Sequence, residues 1–237
     1  MRQRVKKRFT SEVNIVDFQP YLPQKKTRVY IQARNPNQKE YVQKLEDQNK
    51  SIVIAIGPAG TGKTMLAVQV GIKLFQEGEV EKIIVTRPAV SVDEDLGFLP
   101  GDLNEKMAPW TRPIFDVFGE YYQKRDIAKM LEEGIIEISP LAYMRGRTFK
   151  NAYIVADEMQ NATVNQMKML LTRLGENSKM VVTGDLAQAD RMTDNGLIDF
   201  CNLIRSRPLQ YIDIARFDHQ DIERHHAVKE VLSVYGD

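Results

Sequence analysis

The stretch that most limits what this chain can fold into is GPAGTGKT, residues 57–64. It fits G-x-x-x-x-G-K-[ST] in full. An apolar run, IVIAI (52–56), feeds it, and MLAVQVGIKLF after it repeats apolar residues at helical spacing. A strand must therefore enter the loop and a helix must leave it. The glycines let the loop curl so that backbone N–H groups point inward, and the helix start adds its positive dipole end. Gly57, Pro58, Ala59, Gly60, Thr61 and Gly62 are read as the phosphate cradle. Lys63 would reach the β- and γ-phosphates of a nucleotide, and the Thr64 hydroxyl would ligate Mg²⁺.

The same alternation continues downstream. Short apolar runs at 82–86, 135–139, 153–157, 180–184 and 211–214 read as strands, with helices expected over 63–76, 163–174 and 195–205. Gly78 and Gly175 stand where helix C-caps would fall. Near-continuous apolar strands alternating with helices predict an α/β fold, a largely parallel sheet covered on both faces. Upstream, NPNQKEYVQKLED predicts a helix with Pro36 near its start. Residues 1–27, with a cluster of Arg and Lys and two prolines, read as a basic extended arm ahead of a single domain over 28–237. Some fifty residues separate the second and third core strands, more than one crossover requires. A helical insertion over about 89–134 is expected there.

A phosphate loop does not by itself distinguish kinases, switches and motors. YIVADEMQ (153–160) is an apolar strand ending in two adjacent carboxylates. Asp157 suits the water shell of Mg²⁺, and Glu158 is placed to accept a proton from, or orient, an attacking water. VVTGDLAQ (181–188) ends the next strand in the same direction, so Thr183, Asp185 and Gln188 would open into the crevice at the carboxyl ends of the strands.

GPAGTGKT, ADEMQNAT and TGDLAQAD together resemble the PhoH-like P-loop ATPases, which are related to superfamily 1 helicases. NPNQKEYV, TRPAVSVDEDLGFLPGD and LAYMRGRTF look like further segments of that family, so the resemblance runs from about residue 35 to the C-terminus. It implies a RecA-like core that binds and hydrolyses ATP with Mg²⁺ held by Thr64 and Asp157. It also implies that Gln38 contacts adenine, that Gln160 and Gln188 sense the γ-phosphate, and that single-stranded RNA or DNA is the coupled partner, with helicase or RNA-processing work. Nuclease activity is not expected, because the chain leaves no room for an added domain. Such helicases place the nucleotide between two cores, one supplying an arginine worth about 10³–10⁵ in rate. A single core therefore points to a homo-oligomer, most economically a hexameric ring, with an arginine acting in trans. Arg145, Arg147, Arg216 and Arg224 are the candidates, and the DxxRH pattern favours Arg224.

For nucleic acid, Arg87, Arg145, Arg147 and Lys150 would meet phosphates while Tyr143 and Phe149 stack bases. Helix caps and core-edge packing explain the same residues equally well. With 33 basic and 32 acidic residues in 237, the overall charge advertises no polyanion partner. One cysteine and no membrane-length apolar run suggest a cytoplasmic protein. His219, His225 and His226 are not read as a metal site, and Met159, Met167 and Met169 are read as core filling. A non-catalytic ATP sensor remains open as a different class, as does a small-molecule kinase with an acceptor pocket around Trp110.

Overall fold

The computed structural model describes residues 28–88, 103–189, 194–224 and 226–235. The basic arm, and the first part of the insertion, lie outside the described residues, as does the side chain of Trp110. Six strands form one sheet in the order β3-β2-β4-β5-β1-β6, and every pairing is parallel. They are β1 (Ile52–Ile56), β2 (Lys82–Thr86), β3 (Ile136–Ile138), β4 (Ala152–Ala156), β5 (Lys179–Gly184) and β6 (Ile212–Arg216). The helices are α1 (Pro36–Glu46), α2 (Lys63–Glu77), α3 (Leu103–Tyr121), α4 (Lys124–Glu132), α5 (Val164–Leu171), α6 (Gly196–Ile204) and α7 (His226–Tyr235).

The apolar runs are continuous because alternate residues enter two separate cores. Val53, Ala55, Ile83, Val85, Tyr153, Val155 and Val181 face α1, α2 and α3. Ile52, Ile54, Ile84, Ile154, Met180 and Val182 face the side closed by α5, α6 and a short 3-10 turn at Leu141–Met144. Met159 and Met167 are buried in this second core and Met169 packs against it.

Caps and edges move several of the expected boundaries. β3, at one edge, keeps three residues of the expected five, and β6, at the other, runs to Arg216. Asn195 caps α6 from outside it, through bonds to the N–H groups of Leu197 and Ile198. Thr163 caps α5 in a box with Gln166. Gly78 is the left-handed C-cap of α2, as expected. Gly175 is not a C-cap: α5 ends at Leu171, and the chain leaves it so that the Arg173 carbonyl accepts from Phe149 N (2.9 Å) while Gly175 N donates to Phe149 O (2.8 Å).

The middle of edge strand β6 is blocked. Lys44 donates to Ile214 O (2.6 Å), and the Asp213 carboxylate accepts from Ile214 N (2.7 Å). Such a strand offers little to pair with another chain. Since β1 and β4 are separated only by β5, their carboxyl ends open side by side, which sets the site.

Candidate functional site

The loop between β1 and α2 borders a cavity of about 250 Å³. Its other walls come from Asp157 and Glu158 beyond β4, and from Thr183, Gly184, Asp185 and Gln188 at the end of β5. The sequence motifs point all of these at one crevice, and the fold brings them together.

One carboxylate oxygen organises the centre. Asp157 Oδ1 accepts from the Thr64 hydroxyl (2.7 Å) and from the Thr183 hydroxyl (2.5 Å). Thr64 comes from the first turn of α2 and Thr183 from β5, so three elements converge on one atom. The donor set is made of hard oxygens, a carboxylate and hydroxyls, which suits Mg²⁺. Asp157 itself is positioned by its N–H, which donates to Thr86 O on β2 (2.9 Å).

Lys63 is buried and folds back on its own loop, donating to Gly57 O (2.6 Å) and Pro58 O (2.7 Å). Burial holds its ammonium below the ordinary lysine range, while Asp185, Glu158 and Asp157 pull the other way. An anion arriving in the cavity would therefore find a cation already short of compensating charge.

Gln160 links the acidic pair to the loop. Its Nε2 donates to Glu158 Oε2 (2.5 Å), and its Oε1 accepts from Asp185 N (3.1 Å). The Asp185 carboxylate in turn accepts from Ala59 N (3.2 Å) and Ala187 N (3.0 Å). Glu158 sits at φ 55°, the left-handed region that a glutamate enters only under constraint, at a cost of order 1 kcal/mol. Gln188 is exposed at the rim, with its backbone N–H tied to Asp185 O (3.1 Å).

Gln38, expected at adenine, is 1% exposed. Its Nε2 donates to Thr61 O (3.0 Å) and its Oε1 accepts from Arg34 N (2.8 Å). In this arrangement the amide braces the phosphate loop from behind. Tyr41, on the same helix, adds a bond from its hydroxyl to Lys63 O (3.3 Å).

Arg224 departs from the sequence reading. The motif sends it to a neighbouring subunit's nucleotide, yet it lies against the phosphate loop of its own chain. Glu223 N donates to Gly60 O (3.0 Å), and a methyl group on Gly60 would stand 2.7 Å from Arg224 Nε. Gly60 itself has φ +84°, so its backbone shape calls for glycine, whereas the end of the Arg224 side chain could swing aside. The physical reason is the topology: β6 pairs with β1, so the segment leaving β6 runs beside the loop leaving β1. Asp221 fastens that segment, accepting at Oδ2 from Asn37 Nδ2 (2.8 Å) and from Asp218 N (2.9 Å). Sequence reasoning misses Asn37, and it misses Asn195, whose Nδ2 donates to Gln160 O (2.7 Å). Asn37 lies inside the first turn of α1 and Asn195 at the edge of a helical stretch, and nothing local tells what their amides reach.

The remaining arginines differ in availability. Arg216 is exposed. Arg147 is held by Glu137, with Nη2 2.8 Å from Oε2, and its guanidinium lies 4.6 Å from the centre of the Phe149 ring. The Glu137 carboxylate raises the Arg147 pKa above the usual guanidinium value. Phe149 is 2% exposed, so it fills the core and does not stack bases. Lys150 is exposed and pairs with Glu176 (3.0 Å), Arg145 is exposed, and Arg87 is half-buried.

Comparison with known proteins agrees with the motifs. A family model described as PhoH-like protein matches residues 30–236. A PhoH-like protein of Bacillus subtilis is 44% identical over 207 residues, covering 86% of this chain and 64% of the relative. One of Mycobacterium bovis is 46% identical over 208 residues, covering 87% and 58%. Protein PhoH of Escherichia coli is 42% identical over 216 residues, again covering 87% and 58%. The chain thus spans about three-fifths of the length of the curated relatives it matches. Among solved structures, a Sulfolobus solfataricus SWI2/SNF2 ATPase core in complex with dsDNA aligns at TM-score 0.46 and 15% identity, over 85% of this chain and 47% of that one. The Pif1 helicase of Candida albicans aligns at TM-score 0.36 and 11% identity, over 80% and 41%.

Proposed function

The chain belongs to the PhoH-like protein family, and from that premise we propose that it is a Mg²⁺-dependent ATPase. The observation that carries the reading is the meeting of the Thr64 and Thr183 hydroxyls at Asp157 Oδ1, one residue before Glu158 and across the cavity from Lys63. Bound Mg²⁺ would supply charge neutralisation at the β- and γ-phosphates, with Thr64 and Asp157 as its protein partners.

The chain's own groups do the rest. The loop N–H groups from Ala59 to Thr64 cradle the phosphates. Lys63 moves its ammonium from the Gly57 and Pro58 carbonyls to the β,γ-bridge region. Glu158 orients the attacking water and takes its proton as the bond from the γ-phosphorus to the bridging oxygen breaks, giving ADP and phosphate. Gln160 and Gln188 sense the γ-phosphate, Gln160 through its hold on Glu158. Arg224 adds positive charge in cis over Gly60. Gln38 acts on the nucleotide through the loop it braces.

We further propose a homo-oligomeric working form, a ring in the economical case, coupled to single-stranded RNA or DNA and placed in the cytoplasm. Support comes from the single sheet, the exposed Arg216 free to approach a neighbouring subunit, and the family's relationship to helicases. No described helix is long and apolar enough to cross a membrane.

The test is steady-state ATP turnover against protein concentration, with and without single-stranded RNA or DNA, with Lys63→Ala as the blank. Glu158→Gln should retain ATP and lose turnover. Turnover per subunit should rise with concentration. A wild type no faster than Lys63→Ala under every condition would refute the ATPase reading and leave a nucleotide sensor.

A further inference from the structure

A second cavity, of about 850 Å³, lies on the α5 side of the sheet, between the Leu141–Met144 turn and α5. Arg145, Lys168 and Arg173 line it, with Asn165, Thr172 and Gly146 between them, and no Asp or Glu is among its lining residues. Arg145 and Lys168 are exposed, and their side chains make no ion pair or hydrogen bond with the described residues. Arg173 is fixed differently. Its guanidinium donates to Met169 O (3.0 Å), Arg147 O (3.1 Å) and Thr172 Oγ1 (3.1 Å), all neutral oxygens that hold its direction and leave its charge uncompensated.

The cations of the adjoining segment are paired. Arg147 is matched by Glu137 and Lys150 by Glu176. Arg145, Lys168 and Arg173 thus put three positive charges along one groove whose lining holds no carboxylate. Tyr143, in the chain between the lining residues Ala142 and Arg145, is 65% exposed.

Cations spaced along a groove beside an exposed aromatic ring suit a polymer with a charged backbone and flat bases. We propose that this groove binds single-stranded nucleic acid, with Arg145, Lys168 and Arg173 at phosphates and Tyr143 under a base. The inference rests on the nucleic-acid reading given above and locates it. The groove also has a physical route to the ATP site. α5 starts from the Thr163 cap, and the turn just before it, Met159–Asn161, carries Gln160, which holds Glu158. A strand pressing on α5 acts within a few residues of the group that orients the attacking water.

The experiment is fluorescence anisotropy of labelled oligo(U) and oligo(dT) with the full chain across a salt series. Each phosphate left without its cation lowers the single-strand salt slope by about 0.7, so Arg145→Gln with Lys168→Gln should lower it by about 1.4. The same pair should weaken binding about 25-fold at about 0.1 M salt. Tyr143→Ala should weaken it about tenfold with the slope unchanged. Lys124→Gln, exposed on α4 across the sheet from the groove, should change neither. Wild-type binding that all these variants share would overturn the groove and leave the nucleic-acid reading standing. A wild type that binds neither oligomer would overturn both. A thermal melt of each variant checks its fold, and crosslinking of a 4-thiouridine oligomer to the wild type gives a result free of substitutions. Crosslinks at residues 142–146 or 165–173 support the proposal, and crosslinks confined elsewhere refute it.

Discussion

One identifiable part of the stability change between neutral and alkaline pH should come from a buried amine, Lys179. It lies on β5 at the amino end of the sheet, 8% exposed, and donates to Leu45 O (2.5 Å) and Asp47 O (2.8 Å). It thereby closes the C-terminus of α1, the helix that braces the phosphate loop through Gln38. Burial pushes its pKa down to about 8, with Asp47, Glu79 and Glu46 opposing. The unfolded chain returns it to about 10.4. Between those values the unfolded state binds more protons, so stability rises with pH; the penalty is full below about 8 and gone above the unfolded value. Integrating the two titrations from about pH 7 to about pH 9.5 gives a gain of about 2 kcal/mol as a ceiling, and partial solvent screening brings it to roughly 1–1.5 kcal/mol.

Lys179→Met removes the titration and keeps the length of the side chain. Urea unfolding of both proteins at several pH values in that range isolates the effect, because the other groups with shifted pKa values near it are common to both. Tyr41 and Tyr153, pushed up by burial, lose stability only where the unfolded tyrosine ionises, above about pH 10. The stability of the wild type relative to Lys179→Met should therefore climb by about 1–1.5 kcal/mol. A difference that stays constant with pH would refute the reasoning, whatever its size.

Two further substitutions test the packing and the site. Gly71→Ala gains about 1 kcal/mol of helix propensity, but its methyl would stand 2.6 Å from Cδ1 of the fully buried Tyr153 ring. Net destabilisation of about 1–2 kcal/mol by urea unfolding is expected, with Tyr153→Leu relieving part of it. Thr183→Val keeps shape and removes one of two hydroxyls from Asp157 Oδ1. Turnover should fall at least about tenfold, as for hydrogen bonds to charged groups, with the melting temperature nearly unchanged. Turnover equal to wild type would remove Thr183 from the site.

The phosphate loop and the acidic pair were legible because their chemistry is local. A glycine pattern, a lysine and a hydroxyl are contiguous, and Asp157-Glu158 ends its own strand. Strand order was not legible, and it decides which chain segment passes the loop. Only because β6 pairs with β1 does Arg224 lie over Gly60 of its own chain, where sequence reasoning sends it to a neighbour. Phe149 fails for a similar reason: aromatic residues look alike in sequence whether they stack bases or fill a core. Gln38 shows the converse, since its amide meets Thr61, twenty-three residues away, through a helix whose own residues do not announce what it supports.

The buried amide of Gln160 has the position of a relay. On one side it holds Glu158 in a backbone conformation that glutamate resists, and on the other it accepts from Asp185 N, whose carboxylate reaches Ala59 in the phosphate loop. On the proposed reading, phosphates entering the loop would compete for the same N–H of Ala59 and would draw Lys63 from the Gly57 and Pro58 carbonyls. Loss of the Ala59 bond would then release the Asp185 carboxylate, whose own N–H is held by Gln160 Oε1. Because Asn195 fixes the Gln160 carbonyl to the start of α6, and α5 follows two residues after its turn, the amide cannot simply drift when the loop moves. Glu158 is held both by its carboxylate bond to Gln160 Nε2 and by its carbonyl, which accepts from Asn161 N (3.2 Å), so on the proposed reading a shift of the Gln160 amide would reach the carboxylate directly.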